Sequence, residues 1–138
     1  MKTIQERLIG TTLMSDVLTH KRLKHLASMF STSEDHISRL GMGLSIRTGP
    51  VNENWQPSRL ANDQPLNIIT GKSLRGKTLF KEDLPLWLSL VGDEVQKQDF
   101  SEYRKVFLRH WQRGVEILQS QDEGDDWLYL LQRLVEQN

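Results

Sequence analysis

The residues of this chain whose grouping best suits chemistry are cations, and they stand in two groups. Lys21, Arg22 and Lys24 form one; Lys72, Arg75, Lys77 and Lys81 form the other. Lysine and arginine close to glycine suit the phosphates of a nucleic-acid backbone, which ask only for cations and exposed amides. The second group also contains Gly71-Lys72-Ser73-Leu74-Arg75-Gly76-Lys77-Thr78, a literal match to the G-x-x-x-x-G-K-[ST] pattern whose amides and lysine hold nucleotide phosphates. Ile68 and Ile69 stand where the strand before such a loop would be. Its context argues against a nucleotide site. That loop needs a parallel sheet with alternating strands and helices, and a second strand ending in a metal-binding aspartate. Only 60 residues follow Thr78, and they read as helices. Asp93 comes too soon after Leu88 to Val91, and Pro85 sits where the motif's helix should run on.

Metal and catalytic patterns are weaker. His20, His25, His36 and His110 include no pair at i, i+3 or i, i+4, and His110 falls on an apolar stripe where a hydrogen-bonded core histidine is expected. The acidic cluster Asp122, Glu123, Asp125 and Asp126 lacks the order of a calcium loop and reads as a solvated linker followed by helix-start charge. With no cysteine there is no thiol nucleophile, thiolate metal site or disulfide. The expectation is a protein that is not an enzyme, with no cofactor and no metal.

These residues must be positioned by mainly helical structure. Arg7 to Met14 carries Gly10 and two threonines without a helical stripe and is expected to be a short N-terminal extended segment. Leu23, Leu26, Ala27 and Phe30 mark one face of a helix over Val17 to Phe30. Ser31 with Glu34 is a capping-box pattern for a second helix carrying Ile37, Leu40, Gly41 and Leu44, stopped near Gly49-Pro50. Two helices about four residues apart make a helical corner of the kind found in helix-turn-helix and ribbon-helix-helix proteins. Arg39, between Ile37 and Leu40, has either a structural or a binding role. Thr48 to Pro65 holds three prolines and reads as an irregular connection, with Trp55 plugging it onto the core. Leu66 to Phe80 reads as a turn-rich basic loop. Three helices follow: one with Leu84, Trp87, Leu88 and Val91; one opened by the capping box Asp99 and Glu102 and carrying Tyr103 to Leu118; and one opened by Asp125 with Trp127 to Val135. Trp87, Trp111 and Trp127 are expected as core anchors. The fold class is a compact, mainly α domain of about five helices.

At 138 residues, 37% hydrophobic and 26% charged, a single domain over 1–138 is expected, with enough apolar surface for its own core. No apolar run nears the roughly 20 residues of a membrane span, and the opening MKTIQERLIG has no signal-peptide stretch, so a cytoplasmic protein without a membrane partner is expected. The formal net charge is zero. That zero is a cancellation: residues 1–81 hold 12 basic and 6 acidic side chains, and residues 82–138 hold 6 and 12. A basic half and an acidic helical half either stay separate surfaces or mix their charges over one surface when the chain folds.

Several blocks, in order, resemble the DndE family, small proteins of the bacterial DNA phosphorothioation (DNA sulfur modification) system. They are Arg22-Leu23-Lys24-His25-Leu26-Ala27, Phe30 to Asp35, Ile37 to Ile46 with Arg39, Arg75-Gly76-Lys77-Thr78-Leu79-Phe80, the Leu84 to Leu90 helix, and His110-Trp111-Gln112-Arg113-Gly114 to Leu118. Lys81 stands where that family usually has a glycine. The match runs from about residue 17 to 119. The resemblance implies a non-catalytic partner of the sulfur-transferring subunits that forms a homo-oligomer, a tetramer, and binds double-stranded DNA, preferentially nicked, through surface lysines. On that reading Lys21, Arg22, Lys24, Lys72, Arg75, Lys77 and Lys81 contact DNA, and the acidic helices face other subunits. The alternative is a scaffold subunit of the same complex that does not touch DNA.

Overall fold

The structure is a computed structural model and describes residues 2–121. It is mainly helical: α1 Ile4–Gly10, β1 Thr12–Met14, α2 Val17–Met29, α3 Glu34–Thr48, β2 Ser73–Arg75, α4 Gly76–Phe80, α5 Leu84–Val91 and α6 Phe100–Ser120, with single 3-10 turns at Lys81–Asp83 and Gly92–Glu94. The helix expected from Asp125, with Trp127, and the acidic cluster at Asp122 to Asp126 lie outside the described residues.

The long helix α6 is the axis of the domain. Asp99 opens it by accepting from the Glu102 amide, and the stripe Tyr103, Val106, Phe107, Trp111, Val115 and Leu118 is buried along its length. Phe80 meets Phe107 edge to face with ring centroids 4.7 Å apart. The helical corner packs α2 and α3 on this axis, and α3 lies closest. A Cβ on Gly114 would fall 1.8 Å from the Gly41 carbonyl oxygen, so the two backbones touch and only glycine fits at Gly114.

The N-terminal expectation is half right. Thr12–Met14 is extended and pairs antiparallel with β2, Leu13 opposite Leu74, but residues 4–10 are helical. Thr3 caps this helix by accepting from the Glu6 amide, Leu8 is buried, and the Arg7 guanidinium lies 4.2 Å over the Phe100 ring. The corner is also capped differently. Ser33, not Ser31, accepts from the His36 amide. Ser31 belongs to the end of α2, where it takes φ 51° while the Thr32 amide reaches back to the Ala27 carbonyl.

The basic loop is the largest correction. Residues 73–80 form β2 and α4 instead of a turn-rich loop, because Leu74, Leu79 and Phe80 enter the core. The two glycines of the phosphate-like pattern have a packing reason. A Cβ at Gly71 would lie 1.8 Å from the Ser15 carbonyl oxygen, and one at Gly76 would lie 1.8 Å from that of Leu8. Both positions are backbone-to-backbone contacts, Gly71 against the end of β1 and Gly76 against α1, and the strand inside the pattern is antiparallel to β1.

Replacing Gly114 with Ala is expected to cost at least the upper part of the ~1–3 kcal/mol typical of overpacked cores, because the atom it meets is backbone and cannot rotate away. Urea unfolding measures this; a loss under ~0.5 kcal/mol, the range of neutral surface changes, contradicts the contact.

Candidate nucleic-acid interface

The seven cations expected to meet DNA divide into three kinds. Arg22 is interior. Its side chain is 1% exposed and fully engaged: Nε donates to Asp63 Oδ1 at 2.8 Å, Nη1 to Glu116 Oε1 at 3.0 Å, and Nη2 to Asp63 Oδ2 and the Ser58 carbonyl. Periodicity put Arg22 just off the apolar stripe of α2, beside Leu23. The missing information was distant in sequence: Asp63 in the irregular connection and Glu116 on α6 close over it. Burial works against the Arg22 charge, but these two carboxylates outweigh it and raise the guanidinium above its ordinary value. For Asp63 burial pushes upward, and the hydrogen bonds from Arg22 and the Leu60 amide win, holding the carboxyl below the usual range. Arg22 is thus the pin that fastens the 58–63 segment to α2 and α6, and it is not available to phosphate.

Lys72 is partly occupied. Its ammonium lies 3.6 Å from both Glu34 Oε1 and Asp35 Oδ1 at the start of α3. Its backbone is fixed too, the amide donating to Ser15 Oγ and the carbonyl accepting from the Ser15 amide.

The other five make no ion pair among the described residues. Lys21 is half-buried on α2; Lys24, Arg75, Lys77 and Lys81 are exposed. Arg75 occupies the N-cap position of α4, Lys77 is in its first turn, and Lys81 follows its end, one helical turn beyond Lys77. Lys81 has φ 50° and ψ −130°, a backbone conformation that favours glycine. Arg39 is half-buried and donates to the Thr78 carbonyl at 3.4 Å, tying α3 to α4 beneath these cations.

A second polar network runs between α3 and α6. Arg113 Nε donates to Ser45 Oγ at 2.8 Å, Ser45 Oγ bonds His110 Nδ1 at 2.8 Å, and His110 Nε2 bonds Glu94 Oε2 at 2.7 Å. A carboxylate only accepts, so Nε2 carries the ring proton. Burial lowers the affinity of His110 for a second proton, more than its bond to Glu94 restores it, and Arg113 and Arg109 add to the lowering. The neutral ring therefore accepts from the serine hydroxyl. Serine, histidine and glutamate in a chain resemble a nucleophilic triad in composition only. Ser45 is fully buried, and its oxygen already accepts from Arg113. The network's work is structural: Arg113 also reaches the Gly49 and Pro50 carbonyls, and Glu94 Oε1 accepts from the Val51 amide, so the chain leaving α3 is clamped on both sides. His110 is the hydrogen-bonded core histidine expected from its stripe. Ser45 was missed, and its signal was a serine one turn beyond Gly41 on the buried face.

Two cavities flank this scaffold. One of about 540 Å³ mixes signs, with Glu53, Glu94 and Glu102 beside Lys97 and Arg109. The other, about 530 Å³, is an apolar groove between α3 and α5, floored by Leu40, Leu44 and Trp87 and edged by Leu86 and Leu90, which are 58% and 53% exposed. Among the described residues no group of histidine and carboxylate side chains could hold a metal ion, and no helix is long and apolar enough to cross a membrane. Comparison with protein-family models, with curated proteins and with solved structures finds no match to this chain.

Two outcomes test the networks. Arg22→Met leaves Asp63 and Glu116 without their cation and is expected to cost about 3 kcal/mol in urea unfolding, near the low end for a broken buried pair because both carboxylates keep some contact with water. For His110, the unfolded chain takes up a proton near pH 6.5, whereas the folded ring does so only at lower pH. Between those values the unfolded state holds the extra proton, so stability present above pH 6.5 is lost as pH falls through the folded value. The urea midpoint should drop between about pH 7.5 and pH 5.5; a flat midpoint contradicts a neutral buried His110.

Proposed function

We propose that this chain is a non-catalytic, DNA-binding accessory subunit of a bacterial DNA phosphorothioation system, of the kind that the DndE resemblance implies, and that it binds duplex DNA through exposed cations around α4 and on α2. Lys81 is the observation that carries the reading. A lysine at φ 50° holds a conformation that costs a non-glycine residue roughly 1–3 kcal/mol. That lysine stands among Arg75 and Lys77, which have no anionic partner within the described residues. Charge kept at a strained position has a use outside the fold, and phosphate is the ligand that a set of unpaired lysines and arginines fits best. Arg22 leaves the set proposed for DNA, Lys72 takes part conditionally, and Lys21, Lys24, Arg75, Lys77 and Lys81 remain.

The apolar groove between α3 and α5 supports the second element of the reading, association with sister subunits or with the sulfur-transferring subunits. Leu86 and Leu90 lie exposed on an uncharged helix, the composition of a surface that another protein covers. It also favours the alternative, a scaffold subunit that does not touch DNA.

Titration of nicked and intact duplex at several salt concentrations separates the two. If four cations reach phosphate, log affinity falls against log salt with a slope of roughly −3 to −4. Replacing Arg75, Lys77 and Lys81 together by Ala should flatten that slope by about three units. No mobility shift on either duplex, together with recovery of partner subunits after nuclease treatment, contradicts DNA binding and selects the scaffold. Lys81→Gly alone should raise stability by about 1 kcal/mol, as strain relief exceeds the entropy cost of glycine, and should weaken DNA binding in the same protein. A change that weakens neither binding nor strain removes Lys81 from the interface.

A further inference from the structure

His20 of α2 sits at a three-way junction with the start of α3 and the segment before β2. Its Nδ1 is 2.8 Å from the Thr70 carbonyl oxygen. A carbonyl only accepts, so Nδ1 carries a proton in that bond and the neutral ring must present a bare Nε2 on its other side. Nε2 faces Glu34 Oε1 at 3.5 Å, and Lys72 Nζ faces the same oxygen at 3.6 Å. That oxygen is buried and accepts no hydrogen bond. One orphan carboxylate oxygen thus has two cationic claimants, one of which exists only when His20 is protonated. Asp35 Oδ1 is the second anion near Lys72, at 3.6 Å, but it is more exposed than Glu34 and its attraction is screened more. On α2 itself Asp16 lies one turn before His20, its carboxylate taken by the Thr19 amide, and Lys24 lies one turn after it.

We propose that this junction is a proton-operated switch on the phosphate-binding surface. A proton on His20 Nε2 completes a charge-assisted bond to Glu34, displaces Lys72 from that carboxylate and releases it toward phosphate. With His20 neutral, Glu34 retains Lys72 and the interface has one cation fewer. Two backbone contacts make this a local event: Ser15 holds the Lys72 amide and carbonyl, and the Gly71 backbone is pressed against Ser15, so the segment stays in place while the lysine side chain changes partner. The release step rests on the DNA-binding reading above; the exchange of partners at Glu34 does not.

The test has an arm for each. In the protein alone, ring-nitrogen NMR should show neutral His20 as the Nδ1–H tautomer, and protonation of the His20 ring on acidification should shift the Lys72 ammonium signal with it. Glu34→Gln should uncouple the two signals. With nicked duplex added, the salt slope should be steeper at pH 5.5 than at pH 8, and His20→Gln should reduce that difference by about one unit. An Nε2–H tautomer, or a Lys72 signal indifferent to His20 protonation, overturns the switch whether or not DNA binds. Coupled signals with no DNA binding at either pH overturn the release step and the DNA-binding reading together, and leave only the exchange at Glu34. Coupled signals and DNA binding with a salt-slope difference that His20→Gln leaves unchanged overturn the release step alone.

Discussion

The backbone contact between α3 and α6 is the constraint on which the rest of the molecule depends. With the Gly114 Cα against the Gly41 carbonyl, the two helices lie closer than any pair of larger residues would permit. That closeness puts Ser45, one turn along α3, within 2.8 Å of both His110, one turn back along α6, and Arg113, next to Gly114. The polar network formed there clamps Gly49, Pro50 and Val51, and so fixes where the long connection departs. The same connection returns over α2, where Asp63 and Ser58 close on Arg22. One steric fact therefore sets the position of a loop of more than twenty residues that has no regular structure of its own.

Burial of charge then decides which cations remain for function. Folding pairs charges across the division of the sequence into basic and acidic halves. Arg22 of the first half is neutralised by Glu116 of the second, and Glu94 of the second is spent on His110. Breaking such pairs is costly, so these charges are fixed scaffold. Outside the pins lie lysines and one arginine that make no ion pair among the described residues, around α4 and on α2. Arg22 thus differs from the cations that face outward: its charge holds the fold together.

Much of this architecture was legible in the residues. The stripes of α2, α3, α5 and α6 appear with nearly the observed ends, since each buries one face at a helical period and Asp99 states its own cap. His110 was legible as a core histidine for the same reason. The misses share a cause. Residues 73–80 are short elements whose structure comes from pairing with β1 and from Leu79 and Phe80 entering a core built by distant segments. Periodicity over so few residues carries little signal. The glycines of the phosphate-like pattern mislead because a tight backbone contact and an anion cradle ask for the same residue. Arg22 misleads because an arginine beside an apolar stripe reads as solvated until its partners, 41 and 94 residues away, are placed.

Backbone NMR during titration with nicked duplex tests at once whether the pinned charges are scaffold and whether the cations around α4, which make no ion pair among the described residues, meet DNA as proposed. Amide shifts are expected to concentrate at Lys24 and from Arg75 to Lys81, with Gly41, His110 and Gly114 unmoved. Shifts spread through α3 and α6, shifts confined to the acidic 93–102 segment, or none at saturating duplex would contradict the proposal.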